Sequence, residues 1–285
     1  MKNKITFSPK NIAELQNKIL DYKSQKVVFV AGCTDLFLKT EKLKNADIII
    51  NLSEISELNK IFSNENYVYI GSVISMNKII QNQKIIKNFP ILIQALRTIG
   101  SVQIRNRATL GGNLANASPA GDSIPPLMVL EAEILAQNLF DDSSKKIPII
   151  KFFLEPGKTL LKDDEFIQHI EIPILKEKNI SYYFRKVGQR DSLTISKTSL
   201  AGICKYNGKI KWIKLAAGSI APTVLRLSET EKFLLNKKIN NSNIEKAKSI
   251  LKSEISPISD IRSNIKYRKE VTGNLLEEFL LSQIS

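Results

Sequence analysis

The sequence is poor in the residues that most often carry chemistry. It has 1 His and 2 Cys in 285 residues. A zinc site or a Ser-His-Asp triad is therefore poorly supported. His169 stands in an alternating run over 166–172, which reads as a strand with His169 on the Ile167 face and in a structural role. Cys33 and Cys204 do not make a disulfide framework, and two thiols cannot hold an iron–sulfur cluster, which takes four ligands, usually Cys. No apolar run approaches the roughly 18 residues of a membrane-spanning helix. The first seven residues lack the apolar h-region of a signal peptide, so a cytoplasmic protein is expected. Blocks of like charge are missing too. Lys and Arg number 42 against 28 Asp and Glu, a net charge of +14, but the lysines are scattered among Asn and Ile without interleaved aromatics. That pattern argues against nucleic acid, and the basic surface suits an acidic or phosphate-bearing partner.

What is present is apolar periodicity. Hydrophobic residues make up 43% of the chain, ample for real cores, and the length fits two domains. Ser8 and Pro9 open an amphipathic helix carrying Ile12, Leu15 and Ile19. A strand over 27–31, a short helix to about Leu43 and a strand over 46–51 complete a small α/β unit. A strand over 67–73 follows, then a helix capped by Ser75 running through Ile86, and another over 89–99. Pro125 and Pro126 open a helical run to about Glu131. Strands over 132–137, 146–150 and 165–172 come next. Beyond Pro173 the pattern changes to three antiparallel strands, 180–187, 198–205 and 210–219, with a hairpin turn at Asn207-Gly208. Helices over 228–235, 243–252 and 263–281 end the chain. Strands followed by helices indicate a separate α+β domain.

Two small-residue segments are the most informative. Ala108-Thr109-Leu110-Gly111-Gly112-Asn113 runs on to Ser118-Pro119-Ala120-Gly121-Asp122, with an apolar stretch on each side. It reads as a buried loop whose N–H groups need acceptors; a large anionic ligand would supply them. Upstream, the strand ending at Ala31 leads into Gly32-Cys33-Thr34-Asp35 and a helix start at Leu36. Strand, tight turn and helix start are a common way of presenting N–H groups to phosphate. Neither segment is a GxGxxG fingerprint or a Walker A loop.

Val30-Ala31-Gly32-Cys33-Thr34-Asp35-Leu36 resembles the AGGTDL segment of the FAD-binding medium subunits of molybdenum hydroxylases, the xanthine dehydrogenase and carbon monoxide dehydrogenase flavoproteins. Ser101-Val102-Gln103-Ile104-Arg105-Asn106 with the glycine-pair segment is similar to that family's second signature. Phe184-Arg185-Lys186-Val187-Gly188-Gln189-Arg190, and Asp260-Ile261-Arg262 with Tyr267-Arg268, match two further stretches. The resemblance runs in order over nearly the whole chain.

The resemblance implies an α+β fold. A two-lobed FAD-binding domain of the PCMH/vanillyl-alcohol-oxidase type would span 1–173, with lobes of about 1–55 and 56–173. A cap domain of the carbon monoxide dehydrogenase flavoprotein type would span 174–285. The implied function is a hetero-oligomeric oxidoreductase subunit that takes electrons from a 2Fe-2S subunit and passes them through FAD to NAD or another acceptor. A molybdopterin-binding large subunit would perform the substrate chemistry. The cofactor-binding positions carried over are Phe29, Val30, Ala31, Gly32, Cys33, Thr34, Asp35, Leu36, Thr109, Leu110, Gly111, Gly112 and Asn113 around the pyrophosphate. Asp122 would meet a ribose hydroxyl or the adenine edge, Lys186 the polar edge of the flavin, and Ile167 the cofactor through its backbone. Ile99 and Ile195 would sandwich the isoalloxazine; on the residues alone, these three isoleucines are core packing. Cys33 replaces the second glycine of AGGTDL, and an ordinary backbone conformation is expected for it. No metal ligands and no catalytic side chains are implied. A free-standing flavin oxidoreductase would use the same cradle but needs its own acid or base. A flavin-free nucleic-acid module would show salt-dependent DNA binding instead.

Overall fold

The computed structural model describes residues 4–23, 25–38, 40–190 and 193–284. The first lobe runs β1 (Ile5–Phe7), α1 (Ile12–Ile19), β2 (Val27–Val30), α2 (Thr40–Lys44) and β3 (Ile48–Asn51). Parallel neighbours need crossovers, and α1 and α2 provide them, so the sheet order is β1-β3-β2 with both pairings parallel. Ile48 and Ile50 of the central strand are buried against Leu15 and Ile19 of α1. The helix begins three residues later than Ser8-Pro9 implies. Asn11 is its cap, its side chain accepting from Glu14 N at 2.7 Å, because Asn is as good a cap as Ser and immediately precedes Ile12, the first apolar position.

The second lobe contains β4 (Ile61–Ser63), β5 (Tyr67–Gly71), α3 (Met76–Gln81), α4 (Gln83–Asn88), α5 (Pro90–Arg97), α6 (Val102–Arg107), α7 (Leu110–Asn116) and α8 (Ile124–Val129). Then come β6 (Glu133–Asn138), β7 (Ser144–Pro148), α9 (Ile149–Phe152), β8 (Phe153–Glu155), β9 (Lys158–Thr159) and β10 (Glu165–Pro173). Ser75 caps α3 as expected, but Asn82 interrupts the run and caps α4 in turn. The antiparallel sheet has the order β4-β5-β10-β6-β7. Val68, Ile70, Ile134, Ile170 and Ile172 turn one face to the helices, burying Leu92, Leu96, Leu110 and Leu127. The other face carries the rings of Phe62, Tyr69 and His169, and Phe166 packs there on Phe29 of the first lobe.

His169 does not share the face of Ile167, as strict alternation implies. The register shifts between the two residues, and an extra residue in a strand reverses the side that follows it. Ile167 therefore joins the core, while His169 lies 3.1 Å from a Glu171 carboxylate oxygen and edge-on to Tyr69.

The C-terminal part is β11 (Ser181–Val187), β12 (Thr198–Asn207), β13 (Lys209–Gly218), β14 (Leu225–Arg226), α10 (Ser228–Leu234), α11 (Asn241–Glu254) and α12 (Ile265–Leu281). The three expected antiparallel strands are present, and the short β14 extends the sheet at the β13 edge. β12 is apolar on both sides. Leu200 and Cys204 face the helices, with Phe279 of α12, while Ala201 and Ile203 belong to the core of the second lobe. Gly202 admits the Phe279 ring; a Cβ there would lie 2.5 Å from it. Polar links reinforce the joint. Ser219 N donates to Pro119 O at 2.8 Å, Arg226 donates to Met128 O at 3.3 Å, and Glu131 pairs with Lys214.

Candidate functional site

The strand β2 delivers its chain end directly against the lead-in to α7. A Cβ on Gly32 would overlap the carbonyl oxygen of Arg107 and lie 3.1 Å from Ala108 Cα. Only glycine permits this approach, so the two small-residue segments, about 75 residues apart in sequence, meet at Gly32. Cys33 follows with φ +59°, in the left-handed region. The ordinary conformation expected for it is thus wrong: the chain must turn over the 107–108 backbone within one residue. Such a residue costs about 1 kcal/mol, and strain of this kind gathers at functional sites. A left-handed residue in a small-residue turn also aims successive N–H groups at one point, an anion-binding nest. Among the described residues, the N–H groups of Gly32, Cys33 and Thr34 donate to no protein acceptor.

The Gly111-Gly112 segment is not a loop but the first turn of α7. Neither glycine has positive φ. Thr109 is the cap, its hydroxyl accepting from Gly112 N at 3.0 Å. Leu110 N donates to Ile74 O at 3.3 Å, Gly111 N to Ser72 O at 3.0 Å and Asn113 N to Thr109 O at 3.0 Å. Of the four N–H groups that a helix start normally leaves open, those of Thr109, Leu110, Gly111 and Gly112, the last three are thus taken by the fold. Gly111 is glycine because a Cβ would come within 2.6 Å of Ser72 Cβ and Ser72 O. The open donors lie in the upstream loop, and α7 adds the Thr109 hydroxyl. Beside α7, the buried Ser72 hydroxyl has no protein partner, a polar atom suited to a polar ligand.

The other end of the site joins the two domains. Lys186 of β11 donates to Asp122 Oδ2 at 2.6 Å and to Thr98 O at 3.2 Å. Ser196 donates to Asp122 Oδ1. Both charged side chains are almost fully enclosed, 7% and 6% exposed. Burial pushes the Asp122 carboxyl up, against the pull of Lys186 and Ser196. The two residues assigned separately to ribose or adenine and to the flavin edge therefore touch one another. Ile99, next to Thr98, is half-buried; its carbonyl accepts from Arg105 at 2.9 Å. Ile195, next to Ser196, is 53% exposed. The ion pair brings these two isoleucines into one neighbourhood. Ile167 is buried in the core, leaving only its backbone for a ligand. A cleft of about 530 Å³ is lined by Thr98, Phe184, Lys186, Val187, Gly188 and Arg190.

Thr98, Ser196 and Ser72 were not singled out from sequence. Ser196 bonds a residue 74 positions away, and no local pattern announces such a pair. The residues fit FAD on two counts. Unpaired N–H groups and a hydroxyl suit a diphosphate, and a buried cation–carboxylate pair beside apolar side chains suits a flat ring with polar edges.

Comparison with known proteins agrees with this fit. Residues 2–175 match the FAD binding domain in molybdopterin dehydrogenase, and residues 183–283 match the CO dehydrogenase flavoprotein C-terminal domain. The chain belongs to the family of FAD-binding subunits of molybdopterin dehydrogenases, and FAD is its cofactor. The glyceraldehyde dehydrogenase medium chain of Sulfolobus acidocaldarius is 31% identical over 81% of this chain and 80% of its own length. The nicotinate dehydrogenase FAD-subunit of Eubacterium barkeri is 26% identical over 99% of this chain and 96% of its own. In fold, a chain of quinoline 2-oxidoreductase from Pseudomonas putida 86 superposes with a TM-score of 0.89 at 21% identity, covering 99% of this chain and 98% of that one. No helix among the described residues is long and apolar enough to cross a membrane.

Proposed function

We propose that the chain takes electrons from a small iron–sulfur subunit and passes them through FAD to NAD or another acceptor. A molybdopterin-binding large subunit performs the substrate chemistry. FAD, when bound, supplies the redox step; the protein's own residues bind and orient it. Residues 29–36 and 109–113 hold the diphosphate, the loop through its N–H groups and Thr109 through its hydroxyl. Asp122 and Lys186 form the polar floor, Ile99 and Ile195 the apolar walls, and the Ile167 backbone a further edge. The observation that supports this reading best is the run of unpaired N–H groups from Gly32 to Thr34, held against the start of α7. Neither loop contains a histidine for a covalent flavin link. The purified chain is expected to show a flavin spectrum, and acid or heat to release free FAD. Flavin that stays with the precipitated protein would contradict non-covalent binding. Co-purification from the native source tests the partners: a flavoprotein that stays alone and oxidises a substrate unaided would overturn the subunit reading.

A further inference from the structure

We propose that Ser196 and Arg268 are positioning residues of the flavin site: Arg268 fixes the backbone around Ser196, and Ser196 fixes the orientation of Asp122. The proposal rests on the reading of Asp122 and Lys186 as flavin neighbours.

The Arg268 guanidinium is 3% exposed, deep under the C-terminal sheet. Enclosing a guanidinium is costly unless its N–H groups are matched, and here most of them are. Nη1 donates to Lys197 O at 2.6 Å and to Ser219 O at 2.8 Å, and Nη2 donates to Asp260 Oδ1 at 2.8 Å. The two carbonyls belong to the residue after Ser196 and the residue after β13. Arg268 therefore ties together two chain segments that close over Asp122.

Ser219 is the crossing point. Its N–H reaches Pro119 O in the other domain at 2.8 Å, three residues before Asp122. Its hydroxyl donates to Ser196 O at 3.1 Å. Its φ of +61° is left-handed, a conformation that non-glycine residues hold only when their surroundings over-determine it. Arg268, Ser219 and Pro119 supply that determination. The same turn of α12 is locked to β12 by Thr272, whose hydroxyl lies 2.8 Å from that of Thr198.

The outcome is a carboxylate with one donor on each oxygen. Ser196 occupies Oδ1 and Lys186 occupies Oδ2. Without the hydroxyl, Lys186 is free to bridge both oxygens, and the carboxylate rotates with less of its charge offset. A side chain of one point charge cannot replace the fork of Arg268, which reaches three acceptors at once.

The test uses the FAD-loaded protein and its deflavinated form. Ser196→Ala is expected to weaken FAD binding about tenfold, the loss of one hydrogen bond to a charged group, and to lower the flavin midpoint potential. Ser196→Thr, which keeps the hydroxyl, restores both. Arg268→Lys moves both in the same direction as Ser196→Ala. Arg226→Lys is the control, since Arg226 also spans the domains but bonds Met128 O and Glu231 instead of the Asp122 segment. Wild type binding FAD with Ser196→Ala indistinguishable from it in affinity and potential would overturn the proposal alone. A shift with Arg226→Lys as large as that with Arg268→Lys would also overturn it, showing general loosening of the domain joint. Wild type that binds no FAD would instead overturn the flavin-site reading beneath it.

Discussion

Cys33 shows how a single backbone angle separates sequence from structure. The sequence gives its place in an AGGTDL-like turn, but not that the turn closes over the Arg107 carbonyl and forces φ to +59°. Cys33→Gly is therefore expected to stabilise the protein by about 1 kcal/mol while retaining FAD, checked by melting temperature and flavin content. Thiol labelling offers a second check. Burial raises the Cys33 thiol, although the Arg107 charge opposes it, and burial pushes Cys204 up to about 12. At pH 8, Cys204 should react only on unfolding, and Cys33 slowly, with FAD protecting it further. If FAD leaves the Cys33 rate unchanged, the loop does not hold the diphosphate. Asp260 contributes to the acid limit. Burial works against its charge, but the N–H groups of Arg262 and Ser263 and the Arg268 guanidinium outweigh it and hold the carboxyl at about 2. The unfolded chain then binds more protons, so this contribution to stability is present above the ordinary value of 3.8 and is lost as pH falls through about 2. Asp260→Asn should flatten that part of an acid-unfolding curve. The two small-residue segments were legible as candidate sites because their motifs are local. The contact between Asp122 and Lys186 was not, because it joins two domains.

At the scale of elements, α7 is the instructive case. Two glycines argue against a helix, since each costs up to about 1 kcal/mol relative to Ala. The helix forms because its N–H groups find Ser72 O and Ile74 O, tertiary partners that no window of sequence contains. Gly111→Ala is accordingly expected to lower stability by about 1–3 kcal/mol, the cost of overpacking, and Gly111→Val to prevent the lobe from folding. The loss would be one of packing, not of ligand space. Gly112→Ala meets only the Thr109 hydroxyl, at 2.8 Å, and should cost about as much as a lost cap, roughly 1 kcal/mol. Urea unfolding of the two variants separates these outcomes; equal losses would count against the packing account. Elsewhere the longer strands and helices followed from periodicity, whereas the short β1, β4, α6 and α9 did not, and α9 takes the end of the strand expected over 146–150. Two further errors lie where one residue changes the phase: Asn82 dividing a helix in two, and the bulge that turns His169 away from Ile167.

For the whole molecule, the α+β architecture was legible from its strand and helix runs, but the sharing of one core was not. Ala201, Ile203 and Ala216 pack with the second lobe, so the domain boundary seen in sequence is no boundary to packing. Heating should give one cooperative transition for the second lobe and the C-terminal part together; two resolved transitions in calorimetry would contradict this. Glu131→Ala should lower that transition. It leaves Lys214, 12% exposed, without its carboxylate and takes one from Arg226, 11% exposed, and a largely enclosed charge without its partner is destabilising.

The order in which the ribosome makes these parts follows from the same joint. The proposed flavin seat draws on Gly32, Thr109, Asp122, Lys186 and Ser196, and its proposed brace on Arg268. The diphosphate half can form early in synthesis, but the half that orients the ring is incomplete until α12 has left the exit tunnel. Cofactor loading is thus expected only after α12 has been made, and a nascent chain halted before Lys186 should emerge colourless.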